Sequence, residues 1–437
     1  MKTWFQKLIK REDSRRLAEN ILSLTVLQGL NYLLPLLTLP YLTRVLGPEK
    51  FGLVAFAQAL AQYFVIITDY GFNLSATRDV SIHREDPARL RAIFNSVMAI
   101  KTGLMILSLA ALAVIVFSFD RFNRDWELYF LSAGLVLTGV LFPVWFFQGL
   151  ERMKYITVLN IISRLTAVIA IFVFIRSSSD YLYVPLINVG GWLVGGVLSL
   201  ALVFRDFRMR FEMPAPADIR YHLKEGWNIF VSGVAISMYT VTNTFLLGLF
   251  TTDAIVGYYS AAEKVFRALA QMFNPLFQAL YPHIVALAQK SREGAINFLN
   301  KLLAVVLAGC SAAWLVIFLV AAPLLNIVLG NAYGESVTIF RIFSPMLIFT
   351  PAAAVFVNLA MLAFKLDRYF LRIYLFGGAL NLALVALFLV ILNMEANGVA
   401  LATLINEIAL TFLAYYILAG HHIKLFPRLR NANISIT

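Results

Sequence analysis

Between Thr102 and Phe119 eighteen consecutive residues carry no charge, and comparable apolar runs recur along the whole 437-residue chain. A run of that length is what a helix needs to cross a bilayer, because the hydrocarbon is about 30 Å thick and each helical residue rises about 1.5 Å. Repeated so often, such runs exclude an ordinary soluble core: 60% of the residues are hydrophobic, 14% are charged, and the mean hydropathy is +0.79. The chain reads as an all-α integral membrane protein with twelve transmembrane helices, centred near residues 31, 61, 107, 138, 167, 193, 238, 268, 308, 350, 381 and 407. Pro35, Pro40, Pro143, Pro275, Pro345 and Pro351 interrupt several of them. Bundled helices tolerate this where neighbours satisfy the freed carbonyls.

Basic residues orient the spans. With the N-terminus inside, 28 of the 36 Lys and Arg fall on inner segments, five on outer loops (Arg44, Lys50, Arg121, Arg124 and Arg176) and three within spans (Lys264, Arg267 and Arg341). That asymmetry predicts both termini in the cytoplasm. The net charge of +12 is spread over short loops on one membrane face. It suits anionic lipid headgroups, and nothing in the sequence resembles a nucleic-acid module. The single cysteine, Cys310, excludes an intramolecular disulfide. No cleavable signal peptide is visible. Residues 1–16 instead set Trp4, Phe5, Leu8 and Ile9 against Lys2, Lys7 and Lys10, as an interfacial cytoplasmic helix would.

The longest polar interruption, residues 205–224, contains Pro214 and Pro216 and divides the spans six and six. The expected layout is a cytoplasmic segment (1–16), a six-helix lobe (17–204), a cytoplasmic linker (205–224), a second six-helix lobe (225–420) and a cytoplasmic tail (421–437). A shift of 205 residues sets Gly52 on Gly257, Ala57 on Ala262, Gln58 on Glu263, Gln62 on Arg267 and Asp69 on Asn274. At about 100° per residue, positions 58, 62 and 69 lie on one helix face, as do 263, 267 and 274. Two corresponding helices therefore carry polar stripes, which lipid would penalise and a bundle interior would accept. A parallel repeat with a polar interior suits an alternating-access transporter; the competing reading is two polar helices joined by hydrogen bonds.

Lys101 and Arg164 are expected several turns above the cytoplasmic surface, although a long basic side chain can also snorkel back to the headgroups. Lys264 and Arg267 lie deeper, with Glu263 and Glu407 at comparable depth and Asp69 nearer the inner surface. The deep groups are net positive. Cations in low dielectric suit an anionic ligand, in the sharpest form a phosphate or diphosphate headgroup. The candidate substrate-binding residues are thus Arg267, Lys264, Arg164, Lys101, Glu263, Gln58, Gln62 and Asp69. A proton-coupled transporter needs a carboxylate at mid-membrane, for which Glu407 and Glu263 are the candidates. Glu407 is preferred because no cation stands near it in sequence. Its competing role is packing, with Asn406 and Glu407 bonding a neighbouring helix.

Other chemistry is poorly supported. His83, His222, His283, His421 and His422 all fall in loops or helix ends, where they are expected to be solvated, so neither a buried zinc site nor a histidine relay is indicated. Gly191 and Gly195 form a small-xxx-small face that predicts close helix packing. No Walker loop is present, and no cofactor is implied.

Residues Leu42–Phe64 (LTRVLGPEKFGLVAFAQALAQYF) and Asp69–Asp86 (DYGFNLSATRDVSIHRED), with the six-plus-six layout, resemble the polysaccharide-transport branch of the multidrug/oligosaccharidyl-lipid/polysaccharide exporters, especially Wzx-type O-antigen flippases. The resemblance implies two lobes around a central cavity lined mainly by helices one, two, seven and eight. It implies a bacterial inner-membrane protein that flips an undecaprenyl-diphosphate-linked oligosaccharide from the cytoplasmic to the periplasmic leaflet without covalent chemistry. A polysaccharide polymerase and a chain-length regulator are the partners it suggests. A lipid II flippase, a drug exporter, and a membrane polymerase or glycosyltransferase are the alternatives. The positive interior disfavours the drug exporter, and the short outer loops disfavour the enzyme.

Overall fold

The computed structural model describes residues 2–425, with side chains from Leu34 onward except Pro35, Leu36, Tyr239, Thr240, Ala279, Asp367 and Leu371. The interfacial face expected of residues 1–16, the span expected near residue 31 and the tail beyond residue 425 lie outside the described side chains. Among the described residues every regular element is helical. The helices of the first stretch are α1 (Lys2–Asp69), α2 (Phe72–Ile82), α3 (Pro87–Ser118), α4 (Asp120–Asn123), α5 (Trp126–Leu141), α6 (Val144–Gly149), α7 (Met153–Phe174), α8 (Tyr183–Asp206), α9 (Pro216–Thr240) and α10 (Thr242–Phe250). They are followed by α11 (Asp253–Gln271), α12 (Asn274–Lys290), α13 (Arg292–Leu319), α14 (Ala321–Leu329), α15 (Gly334–Phe343), α16 (Met346–Ala354), α17 (Asp367–Val385) and α18 (Glu395–Gly420). The helix carries on into π-type turns after α16 (Val355–Met361) and after α17 (Ala386–Ile391).

Local chemistry sets the boundaries. The Asp86 carboxylate accepts from the backbone N–H of Ala88 and of Arg89, at 3.0 and 3.1 Å, and Pro87 opens α3 where its missing N–H costs nothing. The Ser291 hydroxyl caps α13 through Gly294 N at 3.0 Å. Gly47, at φ 71° and ψ 172°, breaks α1 in a conformation few other residues adopt. Tyr70 and Gly71, at φ 45° and 78°, end α1 and start α2.

Among the described residues eight helices are long and apolar enough to cross a membrane, and two bent pairs raise the number to ten. They coincide with the expected centres near 61, 107, 138, 167, 193, 238, 308, 350, 381 and 407. The stretch near 268 falls short because α11 carries Glu263, Lys264 and Arg267 within three turns, the helix whose polar stripe was expected. The protein is a multi-pass membrane protein. The span Leu37–Ile82 has 67% of its apolar window buried against 17% for Arg292–Leu319, so the former is wrapped by other helices while the latter is largely exposed.

Residues Met1–Gly257 form one compact unit and Tyr258–Thr437 another. Helices α9 and α10 thus pack with the first unit although they follow the 205–224 interruption. One core of the first unit gathers Phe72, Phe94, Val97, Trp145, Phe146 and Val203. That of the second gathers Leu299, Leu303, Val355, Phe356, Met361 and Leu418.

Two glycine contacts hold the first unit tightly. A Cβ at Gly191 would overlap the Ser163 carbonyl, and one at Gly195 the Ser163 hydroxyl, so α8 meets α7 at backbone distance as the small-xxx-small face predicts. Gly52 lies so close to the start of α11 that a Cβ there would overlap the Asp253 carbonyl, and a Cβ at Gly257 would overlap the Pro48 carbonyl. These are the two glycines that the 205-residue shift superposes.

Ion pairs tie α9 to α2 and α3: Arg78 to Glu225 at 2.6 Å and Arg89 to Asp218 at 3.2 Å. His222 is 2% exposed and 3.5 Å from Asp79, so the expectation of a solvated ring does not hold there. The reason is its place on α9, on the face turned to α2.

Candidate functional site

In the first unit the expected polar residues separate into two groups. Lys101, 2% exposed, donates from Nζ to Asp69 Oδ1 at 2.8 Å and to the Gly139 carbonyl at 2.9 Å. The pair joins α3, the end of α1 and the last turn of α5. Lys101 therefore neither snorkels nor offers a free charge: its ammonium is taken up by a carboxylate that is one third exposed. Asn73 adds a long bond to the other Asp69 oxygen, 3.4 Å away. Gln58 and Gln62 lie partly buried on α1, one turn apart.

Arg164 is different. It stands in the middle of α7 with its guanidinium carbon 5.5 Å from the Trp192 ring centroid on α8, and its buried Nε has no hydrogen-bond partner. No carboxylate among the described residues forms an ion pair with it. The glycine seam places it: Gly191 and Gly195 flank Trp192 and press α8 against the turn of α7 that carries Ser163 and Arg164. Removing a guanidinium from water without a counter-charge is costly, and a cation–π contact returns about 0.5–2 kcal/mol of it. The remainder is available to an anion.

The second unit collects the other group. Arg267 donates to Glu263 Oε1 from Nε at 3.0 Å and from Nη2 at 2.7 Å, one turn apart on α11. The Arg267 side chain remains 43% exposed against 15% for Glu263. Lys264, next to Glu263, is exposed. Glu407 on α18 lies beside the Thr350 side chain of α16 and within reach of the Arg267 charge, and it in turn acts on Tyr374 of α17. No cation stands near Glu407 in sequence, and the positive charge that acts on it comes from Arg267 on α11. Asn406, 2% exposed, keeps an unpartnered Oδ1 beside it. Thr350 and Tyr374 were not singled out from sequence, because only packing brings them near Glu407.

No group of three metal-binding side chains occurs among the described residues. The first unit thus offers the Arg164 guanidinium, and the second unit the Arg267–Glu263 pair with Lys264 beside it.

A family model described as polysaccharide biosynthesis protein matches residues 17–288, more than half of the chain. The chain belongs to the polysaccharide biosynthesis protein family. Among relatives of this family member, a protein of Escherichia coli (strain K12) that carries the name of an O-antigen transporter is 31% identical over 397 residues, covering 91% of this chain and 95% of the relative. Among solved structures, the lipid II flippase MurJ in an inward closed conformation superposes with a TM-score of 0.71 at 16% identity, covering 93% of this chain and 90% of that one. An inward-facing multidrug resistance MATE family transporter of the MOP superfamily gives 0.64 at 13% identity, over 89% of this chain and 94% of its own. At these identities the likeness establishes the fold of this polysaccharide biosynthesis protein and nothing finer.

Proposed function

We propose that the protein is a flippase that moves undecaprenyl-diphosphate-linked oligosaccharide (O-antigen) repeat units from the cytoplasmic to the periplasmic leaflet of a bacterial inner membrane. It works by alternating access of two six-helix lobes, 17–204 and 225–420, with both termini in the cytoplasm, the linker 205–224 and tail 421–437 on that face, and residues 1–16 on the membrane surface. The carrying observation is Arg164, a guanidinium at mid-span with an unpartnered Nε and no carboxylate counter-ion among the described residues. A diphosphate is the anion of matching charge and geometry, since a planar guanidinium binds phosphate oxygens in pairs. Arg267 and Lys264 supply the corresponding charge from the second unit, with Gln58 and Gln62 as hydrogen-bonding groups for the sugar. Lys101 and Asp69 position α1, α3 and α5, and Glu263 orients Arg267. Glu407 is the acid for ion coupling, with Glu263 as the second candidate. No bond is made or broken, so the protein acts as a transporter and not as an enzyme. The polysaccharide polymerase and the chain-length regulator would take over its product.

The test is deletion of the gene in its host followed by complementation. Lipid-linked single repeat units should accumulate on the cytoplasmic leaflet of the deletion strain and clear when the wild-type gene returns. Accumulation of the same units on the periplasmic leaflet would instead assign the protein a step after flipping.

A further inference from the structure

A cavity of about 660 Å³ opens on the first unit, walled by Tyr70, Arg220, Lys224, Glu225, Trp227 and Asn228. Four of these come from one face of α9, because residues 220, 224, 227 and 228 recur at helical spacing. Tyr70 arrives from the end of α1. Its positive φ of 45° turns the chain there, and its ring stacks on Phe230 with centroids 4.9 Å apart and planes 13° from parallel. Trp227 stands 6.5 Å from the same ring. Gly226 makes room for this: a Cβ there would come within 2.9 Å of the Tyr70 ring. The aromatic wall is therefore held from both elements.

The charge of the cavity is settled by its ion pairs. Glu225 is already bonded to Arg78 at 2.6 Å, whereas neither Arg220 nor Lys224 pairs with a carboxylate among the described residues. Both are exposed, and Trp227 is 53% exposed, so the wall can be reached from outside. Two free cations beside two aromatic faces and an amide fit a ligand with a phosphate next to a sugar ring. The cations take phosphate oxygens, the rings cover the apolar face of the sugar, and the amide bonds its hydroxyls. The volume falls within the range that holds small ligands.

We propose that this cavity binds the phosphorylated sugar of the lipid-linked substrate before it reaches the deep cations. Arg220 and Lys224 hold the phosphate, Trp227 and Tyr70 cover the first sugar, and Asn228 bonds it. The proposal rests on the transport reading above. An anionic phospholipid carries the same phosphate chemistry without the sugar ring, and the aromatic wall is what distinguishes the two.

The experiment uses the full-length protein in phosphatidylcholine nanodiscs and two radiolabelled probes, farnesyl diphosphate and farnesyl diphosphate bearing N-acetylglucosamine. The sugar-bearing probe should bind more tightly. The double variant Arg220→Gln/Lys224→Gln should weaken both probes about tenfold or more, as loss of charge-assisted bonds predicts. Trp227→Ala should weaken only the sugar-bearing probe, about three- to tenfold. Each variant is first shown to be monodisperse at wild-type yield. If the wild type binds the sugar-bearing probe and the double variant binds it equally well, the cavity is not the site, while the transport reading stands. Equal binding of the two probes, with displacement of both by added phosphatidylglycerol, would make this a phospholipid headgroup site and overturn the proposal. If the wild type binds neither probe, the transport reading fails, and the cavity with it.

Discussion

Arg164 and Lys101 illustrate two fates of a cation in a membrane helix. Lys101 sits 2.8 Å from Asp69 and serves architecture. Replacing it with Met leaves Asp69 without its partner; because that carboxylate is one third exposed, the loss should be about 1–3 kcal/mol and not the full penalty of a buried pair. It is read as a lower unfolding temperature in detergent, and Lys101→Met/Asp69→Leu should recover part of it. Arg164 should behave in the opposite way. Arg164→Gln leaves the fold intact and abolishes flipping, whereas Arg164→Lys keeps the charge but loses the planar fork, so activity should fall about tenfold. Full activity of the Gln variant, measured as surface polysaccharide at equal protein level, would remove Arg164 from the site. The sequence indicates depth for both residues but not their difference, since the partner of Lys101 lies 32 residues away and meets it only after three helices have packed.

At the scale of the helix, more was legible. Apolar length located ten spans, and the residues that disqualify α11 as an ordinary span are the ones that mark it as polar. Periodicity fails where a helix must be related to its neighbour. Nothing in the spacing of α18 reveals that the Arg267 charge will act on Glu407, because helix rotation is set by packing and not by the helix itself. The α7–α8 seam is the exception, since glycines at 191 and 195 announce it. They differ in what they touch. A methyl at Gly195 meets the end of the Ser163 side chain, which can rotate away at the expense of its 2.8 Å bond to the Leu159 carbonyl. A methyl at Gly191 meets the Ser163 backbone carbonyl, which cannot. Gly191→Ala should therefore lower membrane abundance and thermal stability more than Gly195→Ala, by about 1–3 kcal/mol as overpacking does. Equal effects would mean that the two helices are free to separate at this seam.

For the molecule as a whole, the open question is energy. Flipping needs no driving force when polymerisation removes the product, yet the proposed coupling role of Glu407 would give an ion gradient a route. Purified protein in liposomes should flip faster under an imposed pH gradient, and Glu407→Gln should lose that response while keeping its basal rate. If wild type and variant respond alike, Glu407 is not the coupling group; if neither responds, the protein is a passive facilitator. The Gly52–Gly257 contact bears on how such a machine can move. Two main chains that touch with no side chains between them have nothing small to withdraw, so a passage cannot be opened there by swinging one residue aside. The contact behaves as a dry joint, either fully seated or fully parted, and a single methyl group acts as a shim that keeps it from seating. Gly52→Ala should therefore shift the resting population away from the seated form, seen as greater labelling of a cysteine placed at Leu53 by a water-soluble maleimide in a Cys310→Ser background.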